Sequence, residues 1–184
     1  MILYKGIHMA TVILDAGHGG SDFGAMYDGR LEKEDNLALT LAVGDILAEN
    51  GVDVLFTRTT DIYETPTAKA AEGNASGADY FISIHRNSSP IPNQYTGIES
   101  LVYDRNSTAA NIARNINRSL EAIGFADQGV NERRNLAVLR RTKMPAVLVE
   151  AGFINNESDN ALFDAEFDAI AQAIADGILE SIPN

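Results

Sequence analysis

The feature that most restricts the fold of this chain is a set of short apolar runs in which apolar and polar residues do not alternate. The clearest runs are Thr11–Ala16 (TVILDA), residues 80–85 (YFISIH) and residues 146–150 (AVLVE). Strands that are apolar at successive positions are buried on both faces, which is typical of parallel sheets with helices on each side. The sequence therefore predicts an α/β fold.

Longer stretches with helical periodicity separate these runs. Apolar residues recur every three or four positions along residues 33–49, 109–123 and 163–178. Thr65 followed by Pro66 indicates a further helix start, because proline is favoured at the first helical position. Additional strands are predicted at residues 52–56, 98–103 and 136–139. The pattern predicts one twisted, mostly parallel sheet with helices on both faces.

Length and composition limit the classes of protein that this chain can belong to. Its 184 residues suit a single domain, predicted over residues 11–182 after an N-terminal extension of residues 1–10. A net charge of −12 opposes binding to nucleic acid. The chain has no cysteine, hence no disulfide or thiolate ligand, and no apolar stretch of membrane-spanning length. The composition does not indicate an oligomeric state.

Two of the three histidines follow or end predicted strands. His18 lies in the glycine-rich segment after the first strand, and His85 ends the run at residues 80–85. Ligands of open α/β sheets bind beyond the carboxyl ends of the strands, where these imidazoles would meet. With no cysteine, a zinc site would need two imidazoles and a carboxylate, leaving one position for water. Each histidine could instead be structural, and His8 is interpreted as a bystander.

Three carboxylates are candidates for the same region. Glu32 and Glu34 both lie near the start of the first predicted helix, where either could simply compensate the helix dipole. Glu150 ends a buried strand, a position where a carboxylate is costly unless it is paired, bound to a metal or functional. A structural salt bridge is the alternative interpretation of Glu150. Spacing alone does not choose between Glu32 and Glu34.

Four motifs in order give the chain a family resemblance. They are DAGHGGSDFGA (residues 15–25), LEK (31–33), SIHRN (83–87) and PAVLVEAGFINN (145–156). The chain resembles the zinc-dependent N-acetylmuramoyl-L-alanine amidases of the type 3 group over roughly residues 12–178. That resemblance implies a six-stranded, mostly parallel sheet.

The resemblance also implies roles for individual residues. It makes His18, Glu32 and His85 ligands of Zn²⁺ and Glu150 the catalytic carboxylate. Two positions depart from the family pattern: Arg86 follows the second histidine, and Lys69 stands where relatives have an arginine. Arg86 is expected to alter the charge or shape near the cleft, and both departures concern substrate preference rather than the metal site.

The implied function is hydrolysis of the amide between N-acetylmuramic acid and L-alanine in bacterial peptidoglycan. Two alternatives are a zinc peptidase that cleaves within the stem peptide and a wall-binding module of the same fold without catalysis. The implied place of action is the extracellular cell wall. The first residues are too quickly polar for a signal peptide, so the sequence predicts an excised domain or a phage-type release.

Overall fold

The computed structural model describes residues 9–182, which contain eight strands and six helices. His8 and most of the predicted N-terminal extension of residues 1–10 lie outside the described residues. The strands are β1 (Thr11–Ala16), β2 (Met26–Tyr27), β3 (Arg30–Leu31), β4 (Asp53–Phe56), β5 (Tyr80–Asn87), β6 (Ile98–Val102), β7 (Asp127–Glu132) and β8 (Ala146–Phe153). The helices are α1 (Glu32–Glu49), α2 (Pro66–Ser76), α3 (Thr108–Ile123), α4 (Ala137–Arg140), α5 (Glu157–Ala165) and α6 (Phe167–Leu179). None of these helices combines the length and apolar character of a membrane span.

Six of the strands form one sheet in the order β4-β1-β5-β8-β6-β7. Neighbouring strands are parallel except at the β8–β6 contact, which is antiparallel. Strands β4, β1, β5 and β8 therefore run in one direction and share a carboxyl edge. The predicted mostly parallel, six-stranded sheet is confirmed.

The two faces of the sheet bury different cores. Alternate residues such as Val12, Leu14 and Ile84 join the larger core, which includes residues of α1, α3 and α6. The intervening residues, such as Ile13 and Phe81, join a smaller core that includes Val138 and Leu139 of α4 and packs beneath α2. By the same alternation Asp15, His85 and Glu150 belong to the face of the smaller core.

Two predicted elements differ from the structure. Residues 136–139 were expected to form a strand, but the short helix α4 (Ala137–Arg140) lies there and packs against α2. Four apolar residues fit a buried helical turn as well as a strand, so periodicity cannot separate the two. The single helix expected over residues 163–178 is two helices, α5 and α6, which are interrupted at Glu166.

Candidate metal centre

The loop after β1 places His18 above the carboxyl edge of the sheet. His18 adopts a left-handed backbone conformation with φ 61°, and Gly19 and Gly20 also have positive φ. Gly17 lies against the His85 ring, since a Cβ atom there would be 2.3 Å from His85 Cε1. A side chain at position 17 would displace this imidazole. The glycine-rich sequence therefore permits the close approach of the two histidines.

His18, Glu32 and His85 converge on one point. Glu32 Oε1 lies 3.2 Å from His18 Nε2 and 3.0 Å from His85 Nδ1. One ligand atom from each of the three residues lies within 4.8 Å of the others. Glu32 begins α1 and is only 4% exposed, whereas the side chain of Glu34 is exposed. The geometry thus brings Glu32 and not Glu34 to the histidines.

The local backbone fixes the Glu32 carboxylate. Its Oε2 accepts a hydrogen bond from the Ala25 amide at 2.7 Å, and its Oε1 accepts from the Arg86 amide and from Asn36 Nδ2, each at 3.2 Å. Burial acts to raise the pKa of Glu32, but the two imidazoles outweigh it and hold that pKa far below its usual range. Glu32 is therefore ionised and cannot rotate freely.

Asp22 orients the ring of His18. Its Oδ2 lies 2.9 Å from His18 Nδ1, which leaves Nε2 directed at Glu32. Burial lowers the pKa of His18, but hydrogen bonds and charge from Glu32 and Asp22 raise it to about 9. A carboxylate behind a ligating imidazole is the usual outer-shell partner in metal sites.

The donor set fits a divalent transition metal. Ligands about 2.0–2.1 Å from a tetrahedral zinc ion are about 3.3 Å apart, close to the 3.0 and 3.2 Å separations of Glu32 Oε1 from the imidazole nitrogens. Two imidazoles and one carboxylate form an arrangement known from catalytic zinc sites, which keep one position for water. The cluster therefore fits Zn²⁺ in its chemistry and in the spacing of the carboxylate oxygen from the two imidazole nitrogens.

Glu150 lies beside this cluster. It pairs in register with His85 of the neighbouring strand β5, and with Glu99 of β6 on its other side. Its Oε2 atom is buried and has no hydrogen-bond partner among residues 9–182. Burial, assisted by the nearby carboxylates, raises the pKa of Glu150 to about 7. Such a carboxylate can both accept and release a proton near neutral pH.

The buried ion pair of Lys69 and Asp15 stabilises the loop that carries His18. Lys69 Nζ lies 2.8 Å from Asp15 Oδ1 and donates to the carbonyls of Ala16 and His18 at 2.6 and 3.3 Å. Asp15 also accepts from the hydroxyls of Thr57 and Ser83. Lys69 thus ties α2 to the loop that carries His18.

Sequence reasoning missed several of these supporting residues. Arg58 follows β4 and donates to the carbonyls of Ala16, Gly17 and Lys33, which joins the histidine loop to the start of α1. Its only sequence signal is an arginine directly after an apolar strand. Arg86 is 2% exposed and pairs with Asp35 at 2.6 Å, so it faces the protein interior rather than the cleft.

The fold and the site define a class: an α/β domain with a His–Glu–His cluster and a buried carboxylate at the carboxyl edge of its sheet. Within this class, residues 12–180 match the N-acetylmuramoyl-L-alanine amidase family Amidase_3. The chain belongs to this family, and the predicted resemblance is confirmed.

Individual relatives agree with this assignment. The sporulation-specific N-acetylmuramoyl-L-alanine amidase of Bacillus subtilis (strain 168) is 38% identical over 176 residues, covering 92% of this chain and 67% of the relative. The endolysin of Bacillus phage SPP1 is 35% identical and covers 92% of this chain and 65% of the endolysin. The chain thus spans about two thirds of the length of these curated relatives.

Solved amidase structures are similar to this chain over nearly their whole length. The N-acetylmuramoyl-L-alanine amidase of Clostridium difficile 630 superposes with a TM-score of 0.88 at 31% identity, covering 94% of this chain and 96% of that one. The catalytic domain of CwlV, an N-acetylmuramoyl-L-alanine amidase from Bacillus (Paenibacillus) polymyxa var. colistinus, gives 0.85 at 36% identity, covering 94% and 97%. The described residues therefore correspond to an amidase domain.

Proposed function

We propose that this chain hydrolyses the amide that joins the lactyl group of N-acetylmuramic acid to L-alanine in peptidoglycan, with Zn²⁺ as its cofactor. The observation that carries the proposal is the convergence of His18 Nε2 and His85 Nδ1 on a single oxygen of Glu32. Family membership supplies the bond and the substrate class. The names of the relatives, which include a probable cell wall amidase and an endolysin, support action at the bacterial cell wall.

In this proposal His18, Glu32 and His85 hold the metal. A Zn²⁺ ion held there would supply Lewis acidity toward a water and toward the scissile carbonyl. Asp22 keeps His18 Nδ1 hydrogen-bonded and so reserves Nε2 for the metal. The amides of Ala25 and Arg86 hold the Glu32 carboxylate in one orientation, so the three donors are arranged before the metal binds.

Glu150 is the proposed proton carrier. Its carboxylate takes a proton from the attacking water, whose oxygen forms a bond to the lactyl carbonyl carbon. The protonated Glu150 then gives this proton to the nitrogen of L-alanine as the carbon–nitrogen bond breaks. The products are a free lactyl carboxylate and a stem peptide with an L-alanine amino terminus. Burial raises the pKa of Glu150 above its ordinary value in the metal-free chain, which favours a carboxylate that can hold the proton between the two transfers.

Peptidoglycan digestion tests the proposal against its alternatives. Purified sacculi are incubated with the zinc-loaded protein, and the soluble products are identified by mass spectrometry. Stem peptides with an L-alanine amino terminus are expected. Peptides cut between later stem residues would instead identify a zinc peptidase, and sacculi that bind the protein without any soluble product would identify a binding module. The variant H85A, which lacks one proposed ligand, is the inactive control.

A further inference from the structure

A cavity of about 280 Å³ adjoins the candidate metal centre. His18, His85 and Asp22 line one part of it, together with the end of β1 and Gly17 after it. Its remaining walls come from Glu64 and the start of α2, from residues 135–138 around the start of α4, and from Leu148 of β8. Apolar side chains form much of these walls, among them Pro66, Leu136, Val138 and Leu148. A substrate group that extends from the cluster toward α2 and α4 would therefore enter a mainly apolar space.

Glu64 places a carboxylate on this wall. It precedes α2, lines the cavity, and is only partly exposed. Its Oε2 is buried without a hydrogen-bond partner in the described part of the chain. A buried carboxylate oxygen without a donor is unfavourable. Rotation about the last side-chain bond is broad, so either oxygen can turn to a donor inside the cavity.

Lys69, the cation on the same wall, has no capacity for a second anion. Its ammonium group is 2.8 Å from Asp15, 2.6 Å from the carbonyl of Ala16 and 3.3 Å from that of His18. These three contacts use its three N–H donors. Of the other polar side chains on the walls, Asp15 and Asp22 are acidic and Asn135 is a neutral amide. The cavity therefore offers an acceptor with negative charge and no free ammonium donor beside it.

We propose that this cavity binds the stem-peptide residue that follows L-alanine, and that Glu64 selects a primary amide over a carboxylate on that residue. The inference rests on the proposed amidase function. Peptidoglycans carry this second residue either as a free acid or as an amide. A carboxamide donates an N–H to Glu64, whereas a carboxylate brings a like charge against it and finds no donor on Lys69.

The size and walls of the cavity favour peptide over glycan. A volume of 280 Å³ accommodates a residue or two of a peptide branch, and its apolar walls suit methyl and methylene groups. A glycan strand is a continuous polar polymer and requires an open groove. The glycan is therefore assigned to the surface outside this cavity.

The test compares two peptidoglycans that differ only at the second stem residue. They are isolated from one bacterial strain with and without its amidating enzyme, and muropeptides released from each by a muramidase serve as soluble substrates. We expect the zinc-loaded wild type to prefer the amidated muropeptide by about 10- to 100-fold in kcat/KM. E64Q should lose most of this preference, because its side chain has no charge and can donate to a carboxylate.

E72Q is the matched control. Glu72 lies on α2, is exposed and does not line the cavity, so its replacement removes the same charge nearby and should keep the wild-type preference. Equal cleavage of the two substrates by the wild type would overturn the role of Glu64 while the amidase function stands. Retention of the preference by E64Q would also overturn the role of Glu64 and leave the amidase function standing. Release of L-alanine amino termini from neither substrate would overturn the proposed function itself.

Discussion

The Oδ2 atom of Asp22 lies 2.9 Å from Nδ1 of His18, on the side of the ring opposite Glu32. Such an outer carboxylate fixes the tautomer of a ligating histidine and makes it a stronger ligand. D22N should lower zinc affinity about 10- to 100-fold, as measured by competition with a chromophoric chelator. D28N, at an exposed turn, is the control and should bind as wild type. Unchanged zinc affinity in D22N would show that Asp22 does not support the metal site.

Replacement of Glu150 should separate metal binding from catalysis. Glu150 does not belong to the His–Glu–His cluster, so E150Q should still bind one zinc ion per chain. Loss of general acid–base assistance should lower kcat by about 10² to 10⁴. Metal analysis and turnover of muropeptides measure the two effects, with E49Q on the exposed face of α1 as control. Normal turnover by E150Q would refute the assigned role.

E150Q should also change how the stability of the metal-free protein depends on pH. The pKa of Glu150 is about 7 in the folded chain, above the value of about 4.3 in an unfolded one. Between these values the folded state keeps a proton that the unfolded state has released, so stability falls as pH rises. The free energy of unfolding of E150Q relative to wild type should therefore increase from about pH 4.5 to 7. Urea titrations with a chelator present measure the difference.

Much of the site could be predicted because parallel strands end at a common edge. His18, His85 and Glu150 are distant in sequence, yet each follows or ends an apolar run that the sequence identifies as a strand. Glu32 could be distinguished from Glu34 only through the family resemblance, because the helix dipole favours a carboxylate at either position. The structure brings Glu32 to the histidines and leaves Glu34 exposed.

Other features depend on tertiary contacts that no local pattern contains. Strand β7 (Asp127–Glu132) has the polar sequence DQGVNE and lies at the sheet edge, where a strand has only one neighbour and needs little apolar surface. The Asp15–Lys69 pair joins residues that are far apart in the sequence. No sequence pattern distinguishes Glu64, and only the cavity that it lines indicates a role for it.

The buried pair of Asp15 and Lys69 should contribute to the acid sensitivity of the fold. Asp15 is 1% exposed and Lys69 is 3% exposed, so D15N leaves a buried ammonium unpaired and should cost about 3–5 kcal/mol of unfolding free energy. Burial acts to raise the pKa of Asp15, but Lys69 and Ser83 hold it below its usual value.

The sign of the pH dependence follows from that lowered pKa. The contribution of Asp15 is complete above its unfolded pKa of about 3.9 and disappears as pH falls through the lower folded value. The gap between wild type and D15N should therefore be constant near neutrality and narrow below about pH 4. Chemical unfolding at several pH values measures it. D45N on the exposed face of α1 should show neither effect, and a gap that widens in acid would contradict the assignment.

Gly17 makes room for His85, so a methyl group there should damage the metal centre. A Cβ atom at position 17 would lie 2.3 Å from His85 Cε1 and 2.6 Å from Nδ1, the atom that faces Glu32. G17A should therefore displace the imidazole and abolish tight zinc binding while the sheet stays folded, as measured by metal analysis alongside circular dichroism. The comparison is G73A, whose Cβ would crowd Phe81 at 2.8 Å within the smaller core. G73A should lower the melting temperature and keep its zinc, because its methyl group would contact no proposed ligand. Zinc retention by G17A would show that His85 does not need this space.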